Sequence, residues 1–213
     1  DFCLSRGLGD VYKRQSYRNP AMLAKMAATV DHISGGRLKF GVGSGSMTDE
    51  FEENGVTLGK PIERIMKLEE TIRIVKRMWI EEEATFNGKH YRVSQAVCYP
   101  KPVQKPHPPI IVGGGGEKLT LKVVAKLADA WNFGAPPDEY AKKLEVLKKH
   151  CVEVGRDFEE IGLSRLAWVI LSSDRDVITS SLPRPPENLD RVINAHLIGT
   201  PETCIKNMRR SLE

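Results

Sequence analysis

Two short stretches hold the residues whose types and spacing suit chemistry. "KFGVGSGS" places Gly41, Gly43 and Gly45 behind an alternation of Phe40 and Val42. "IIVGGGGEK" places Gly113, Gly114, Gly115 and Gly116 directly after an apolar run. Glycine lets a backbone approach a ligand closely. A helix beginning at once after the second stretch would offer free N–H groups and partial positive charge, which suits a phosphate or phosphodiester. Lys118 would add charge there unless its helical position turns it outward. Neither stretch is a standard nucleotide motif. A Walker A loop needs glycine directly before Lys-Ser/Thr, whereas Glu117 precedes Lys118 and Leu119 follows it. A dinucleotide fingerprint needs G-x-G-x-x-G, and "GVGSGS" carries Ser46 in the last place. On spacing alone, a phosphate cradle and a tight turn account equally well for Gly113 to Gly116. A structural turn accounts best for the first stretch.

The other reactive types form no cluster. His32 reads as a helix-end residue, His90 and His107 as surface positions open to substrate contact, His150 as part of a solvated helix face, and His196 as unpartnered. Asn19 is equally suited to a site role and to capping a helix, and Tyr17 and Arg18 precede it. Glu50 and Glu53 fit a solvated turn as well as a ligand contact, and Trp131 fits a core better than a pocket. No His, Cys, Asp or Glu grouping has metal-ligand spacing. Cys3, Cys98, Cys151 and Cys204 lack a CxxC pair, which suits reduced thiols in a cytoplasmic protein.

The elements that must position the glycines follow from pattern. "NPAMLAKMAATVDHISGG" offers Asn19 as N-cap, Pro20 in the first turn, an apolar stripe of Leu23, Met26, Ala27, Val30 and Ile33, and a glycine stop. "KPIERIMKLEETIRIVKRMWIEE" predicts a long helix with Ile62, Ile65, Met66, Ile72, Val75 and Trp79 on mostly one stripe. "TFNGKHYRV" predicts a hairpin with a type I′ turn at Asn87-Gly88, and "YPKPVQKPHPP" an extended connector. "PIIVGG", "DAWNFG" and "IGLSRLAWVILSS" predict strands, separated by helices over "EKLTLKVVAKLA" and "PDEYAKKLEVLKKHCVEVG". Residues 174–190 read as loop, and a last helix starts at Thr200-Pro201. This β–α alternation argues for a parallel sheet, doubly wound or in a barrel.

Composition narrows the function classes. The chain of 213 residues is 40% hydrophobic and 28% charged, and its net charge of +4 is spread among interleaved acids. That distribution is a solvated helix surface rather than a nucleic-acid footprint, and no apolar run has membrane-spanning length. The opening does not read like the rest. "SRGLGDVYKRQ", Ser5 to Gln15, is the translation of a transposase-type sequencing adapter, so residues 1–15 are expected to be adapter-derived. Residues 16–213 are then expected to be one barrel fragment, truncated at both ends.

In order, "YRNPAMLAKMAATVDHISGGRLKFGVGSG", "DEFEENGV", "FNGKHYRV", "YPKPVQKPHPPIIVGGGGEK", "LADAWN" and "GTPE" resemble the luciferase-like monooxygenase superfamily. The glycine-rich loop and "ADAWNFG" are more similar to its coenzyme F420-dependent branch than to its FMN branch. The resemblance covers about residues 16–213. It implies an α/β fold, a partial TIM-type (β/α)8 barrel spanning about strands four to seven, with the hairpin and proline-rich segment as an inserted excursion. It implies that Tyr17, Arg18 and Asn19 follow strand three, near the active-site mouth. It implies that a deazaflavin or flavin ring packs at the end of strand four, matched by Ser44 and Gly45, on a bulge often built with a non-prolyl cis peptide. The cofactor phosphate falls to Gly113, Gly114, Gly115 and Gly116 after strand five, although TIM-barrel phosphate sites more often follow strands seven and eight.

The function this implies is F420-dependent hydride transfer to or from a small organic substrate. The alternatives are an FMN-dependent monooxygenase using dioxygen and a non-catalytic flavin-binding relative. A phosphosugar barrel enzyme would explain the glycines but not the ordered motifs. Family acid/base residues usually come from strands one and two, so no catalytic residue is assigned. Expected partners are a small-molecule substrate and, for the full-length parent, a second copy; nucleic acid and membrane are not expected. The fragment itself is expected to be inactive, with open sheet edges.

Overall fold

A computed structural model describes residues 18–45, 48–53, 55–57, 59–182 and 186–210. The adapter-like segment and Tyr17 lie outside the described residues. Helix α1 (Pro20–Ile33) starts as its sequence dictates: the Asn19 side chain accepts the Ala21 N–H at 2.9 Å, and Pro20 occupies the first turn. Its buried face differs from the expected stripe. Leu23, Ala24, Ala27, Ala28 and Asp31 are buried, while Met26, Val30 and Ile33 are exposed. The reason is the neighbour. Helix α3 (Pro61–Ile80) brings Trp79 against α1, and its indole N–H donates to the Ala24 carbonyl at 2.9 Å. Alanines leave room for that approach; Met26 would not.

Helix α3 also buries more than one stripe. Leu68, Thr71, Ile72, Ile74, Val75, Met78 and Trp79 are buried, while Ile62 and Met66 at its start are exposed. The four-stranded parallel sheet has the order β1 (Phe40–Gly43), β4 (Ile110–Gly113), β5 (Ala130–Phe133), β6 (Gly162–Arg165). Along each strand side chains alternate between faces. Phe40, Val42, Ile110, Val112 and Trp131 join the core against α1, α3, α4 (Thr120–Leu127) and α5 (Pro137–Val154). Helix α5 ends on Gly155 in the left-handed conformation, the usual stop a glycine supplies directly after an apolar-periodic run.

The excursion is a hairpin of β2 (Ala84–Asn87) and β3 (Arg92–Ala96), but its turn is not the two-residue type. Asn87 pairs with Arg92, leaving residues 88–91 in the turn. The Glu70 carboxylate decides this. It accepts the amides of Lys89 at 2.8 Å, His90 at 2.9 Å and Tyr91 at 2.8 Å. A Cβ on Gly88 would lie 2.4 Å from the same carboxylate, so glycine makes the room. The proline-rich connector, expected to be extended, is neither helix nor strand and bends at residues 103–106; it is latched to α1 by Gln104, which donates to the buried Asp31 at 2.7 Å and to the Leu38 carbonyl at 2.8 Å.

The last part departs most from expectation. "IGLSRLAWVILSS" is two strands: β6 continues the sheet, while β7 (Val169–Leu171) pairs in parallel with β8 (Leu197–Gly199). The stretch expected as loop holds helix α6 (Arg175–Ser181), capped by Asp174, and the start of α7 (Leu189–Ala195), capped by Asn188. Asx caps at both starts supply the local signal that the prolines between them obscure. Helix α8 (Pro201–Arg210) follows. Among the described residues the sheet does not close into a barrel.

Replacing Glu70 with alanine leaves three turn amides without their acceptor. We expect it to cost about 2 kcal/mol in urea denaturation. Amide exchange at Lys89, His90 and Tyr91 should accelerate well before that of β4.

Candidate functional site

Strands β1 and β4 pair in parallel with Gly43 opposite Gly113, and β5 continues the row with Asn132 opposite Gly113 and Ser164 of β6 opposite Asn132. Both glycine stretches therefore leave the same edge of the sheet from neighbouring strands. On the face away from the helices this edge row reads Gly43, Gly113, Asn132, Ser164. It is a flat floor bounded by one polar pair, in which the Asn132 amide donates to Ser164 Oγ at 2.9 Å. In parallel α/β folds the carboxyl ends of strands carry the ligand.

Ser44 and Gly45 continue from β1, half-buried. Gly45 has φ 79°, a conformation that favours glycine, and its carbonyl accepts from Arg64 Nη1 at 2.6 Å. The cis peptides among the described residues are Tyr99–Pro100 and Lys105–Pro106, so the Ser44–Gly45 bond is trans. Glu53 is exposed on the short helix α2 (Thr48–Glu53), which also carries Glu50.

The second loop is built differently from the expected glycine-to-helix junction. A turn at residues 117–119 intervenes, and α4 begins only at Thr120, with no side-chain cap. Gly114 has φ 122°, so glycine is required there. Gly115 lies against an aromatic ring: an added Cβ would sit 2.4 Å from Phe133 Cζ. The Trp131 indole donates to the Gly114 carbonyl at 2.8 Å, and Lys143 Nζ donates to the Gly115 carbonyl at 2.9 Å. Among the described residues, the N–H groups of residues 115–120 donate to no protein acceptor. Successive unpaired amides of this kind can bind an anion, and here they belong to the loop rather than to the helix end.

The cation at this loop is Lys143 from α5, which also lies 3.2 Å from Glu117 and 5.4 Å from the Phe133 ring centroid. Lys118 is exposed. Lys143 was not legible in sequence, because its contact arises from the packing of α5 across the loop. His150, expected to be solvated, instead donates from Nε2 to the Glu117 carbonyl at 2.8 Å, and its Nδ1 lies 3.1 Å from Glu153. That hydrogen bond holds the Glu153 carboxyl below its usual range.

The remaining candidates stand apart. Trp131 is wholly buried, as expected of a core residue. His32 Nε2 contacts the Lys101 carbonyl at 2.7 Å, and His107 Nδ1 the Pro108 carbonyl at 2.9 Å. His90 sits in the hairpin turn. His196, expected to be unpartnered, accepts the Trp168 N–H at 3.1 Å and stacks on its ring; burial, then the Arg165 charge, lowers its pKa. A cavity of about 460 Å³ beside His196 and Arg165 shares no residue with either glycine stretch. Burial raises the thiol pKa of Cys98, Cys151 and Cys204, which argues against nucleophilic roles. No metal-binding group of three or more His, Cys, Asp or Glu occurs among the described residues, and no described helix is long and apolar enough to cross a membrane.

A parallel sheet backed by helices, with its glycine-rich ends side by side at the carboxyl edge, defines an α/β protein with its candidate site at the ends of the strands. The match of residues 14–185 to the family model for luciferase-like monooxygenase makes the assignment specific: the chain belongs to that family. It is 35% identical over 139 residues to an uncharacterized protein of Mycobacterium tuberculosis, covering 65% of this chain and 48% of that protein. It is 31% identical over 176 residues to the FMNH(2)-dependent dimethylsulfone monooxygenase of Pseudomonas putida, covering 75% of this chain and 48% of that enzyme. The chain thus spans about half the length of the curated relatives it matches. Its fold is similar to that of an F420-dependent secondary alcohol dehydrogenase in complex with an F420-acetone adduct, with a TM-score of 0.79 at 20% identity, covering 94% of this chain and 68% of the other.

Replacing Gly115 with alanine forces a methyl group into the Phe133 ring. We expect a loss of about 1–3 kcal/mol in urea denaturation. Combining it with Phe133→Ala should recover part of that loss, a coupling that a double-mutant cycle reads directly.

Proposed function

We propose that the full-length protein is an F420-dependent oxidoreductase that moves a hydride to or from a small organic substrate. The observation that carries this is the run of amides at residues 115–120 without protein acceptors, which follows directly on Gly113 of the Gly43–Gly113 floor. The residues present fit a cofactor with a flat ring and a phosphate arm. The loop amides would hold the phosphate, and Lys143 would add positive charge beside it. Gly43 and Gly113 leave the floor low enough for a ring, and Asn132 and Ser164 offer polar groups at its margin. Arg64 holds the Gly45 carbonyl, which fixes the turn that follows the floor. When bound, a deazaflavin supplies the hydride chemistry, and the protein supplies orientation and electrostatics. Likeness to the F420-dependent alcohol dehydrogenase fold favours F420.

The second reading is an FMN-dependent monooxygenase, favoured by the dimethylsulfone monooxygenase relative. The same phosphate loop serves either cofactor, so a binding experiment must separate them. With F420 and FMN titrated separately into the full-length protein, we expect tight binding of F420 and substrate-dependent change in its absorbance. Tight FMN binding with oxygen uptake would establish the second reading instead, and binding of neither would leave a non-catalytic relative.

A further inference from the structure

Four consecutive carbonyls of the phosphate loop are held by protein donors. Gly114 O takes Trp131 Nε1 at 2.8 Å, Gly115 O takes Lys143 Nζ at 2.9 Å, Gly116 O takes the Leu121 amide at 3.0 Å, and Glu117 O takes His150 Nε2 at 2.8 Å. In a trans peptide the carbonyl of one residue and the N–H of the next point in opposite directions. Each gripped carbonyl therefore aims one amide away from its anchor: those of Gly115, Gly116, Glu117 and Lys118. These amides are among those that find no protein acceptor.

The loop needs such anchors because its own sequence does not set its shape. Three glycines in a row leave many conformations open, and fixing one amide pattern among them costs conformational entropy. The anchors come from elements already ordered by the core. Trp131 is buried in β5, stacked on Tyr140 with ring centroids 4.9 Å apart. Lys143 and His150 project from the same helix, α5, and Glu153 contacts the far side of the His150 ring.

We propose that Trp131, Lys143 and His150 are positioning residues that pre-shape the loop for phosphate by holding its carbonyls. The proposal rests on the reading of this loop as the cofactor's phosphate site. Lys143 also brings charge; Trp131 brings none, so its effect isolates the grip from electrostatic attraction.

The test is a titration of the full-length protein with inorganic phosphate, followed by amide 1H–15N shifts. In the wild type we expect the signals of Gly115, Gly116, Glu117 and Lys118 to move. Trp131→Phe should blunt the response of Gly115, Lys143→Ala that of Gly116, and His150→Ala that of Lys118. Each should weaken phosphate binding by about 3–10-fold. His150→Gln, which keeps a side-chain N–H donor, should restore most of the loss. Thermal melting, measured alongside, identifies any variant that loses fold; among those that stay folded, wild-type affinity and amide response would overturn the proposal. Phosphate that moves none of these signals in the wild type would overturn the phosphate-site reading itself, a distinguishable failure.

Discussion

The Trp131 indole is the contact on which the rest of the site depends. It is wholly buried between the sheet and α5, stacked against Tyr140, and parallel to Phe133 at 5.8 Å between centroids. Its one polar atom cannot be left unpaired in such surroundings without a cost of about 1–3 kcal/mol. The Gly114 carbonyl removes that cost. The core of the protein and the shape of its glycine loop are thus tied by one hydrogen bond. Moving the loop would strand a buried donor, and repacking the core would release the loop.

The sheet divides its labour by face. Phe40, Val42, Ile110, Val112 and Trp131 fill the side toward the helices, where volume matters. On the other face Gly41, Gly43, Gly113 and Asn132 are small or polar, and Ile111 stands among them as a buried branched apolar residue. In an ordinary parallel sheet buried on both sides, all these positions would be branched apolar residues. Here much of the second face contributes little packing, and stability must come mainly from the first. That imbalance explains why the helix-facing residues are so completely buried, and why α1 gives up bulk for alanines to let Trp79 in.

What was legible in sequence was what local patterns dictate. The N-cap at Asn19, the strands ahead of each glycine stretch, the excursion and the stop at Gly155 all follow from short-range chemistry. The misses came from long-range partners. Asn87-Gly88 has the letters of a two-residue turn, yet a carboxylate eighteen or more positions away captures three amides and sets a longer one. Met26 and Val30 fit a helical stripe, yet the approaching indole selects the alanine face. Lys143 and His150 looked like two more polar positions on a charged helix, because only the docking of α5 shows which carbonyls they meet.

The same reasoning separates the two glycine stretches, which look alike in sequence. At the first, the Gly45 carbonyl is tied by the Arg64 side chain, and the neighbouring floor is two facing glycines within the ladder. With no side chain on Gly41 or Gly43, its contribution to a ligand is space. At the second, the ladder ends at Gly113, and every carbonyl from residue 114 to 117 is occupied while the amides that follow them are not. Its contribution is hydrogen-bond donors. A ligand that uses both must carry a flat, weakly polar part beside an anionic one. A phosphate-bearing ring system meets that requirement, and a free anion or a neutral ring meets only half of it.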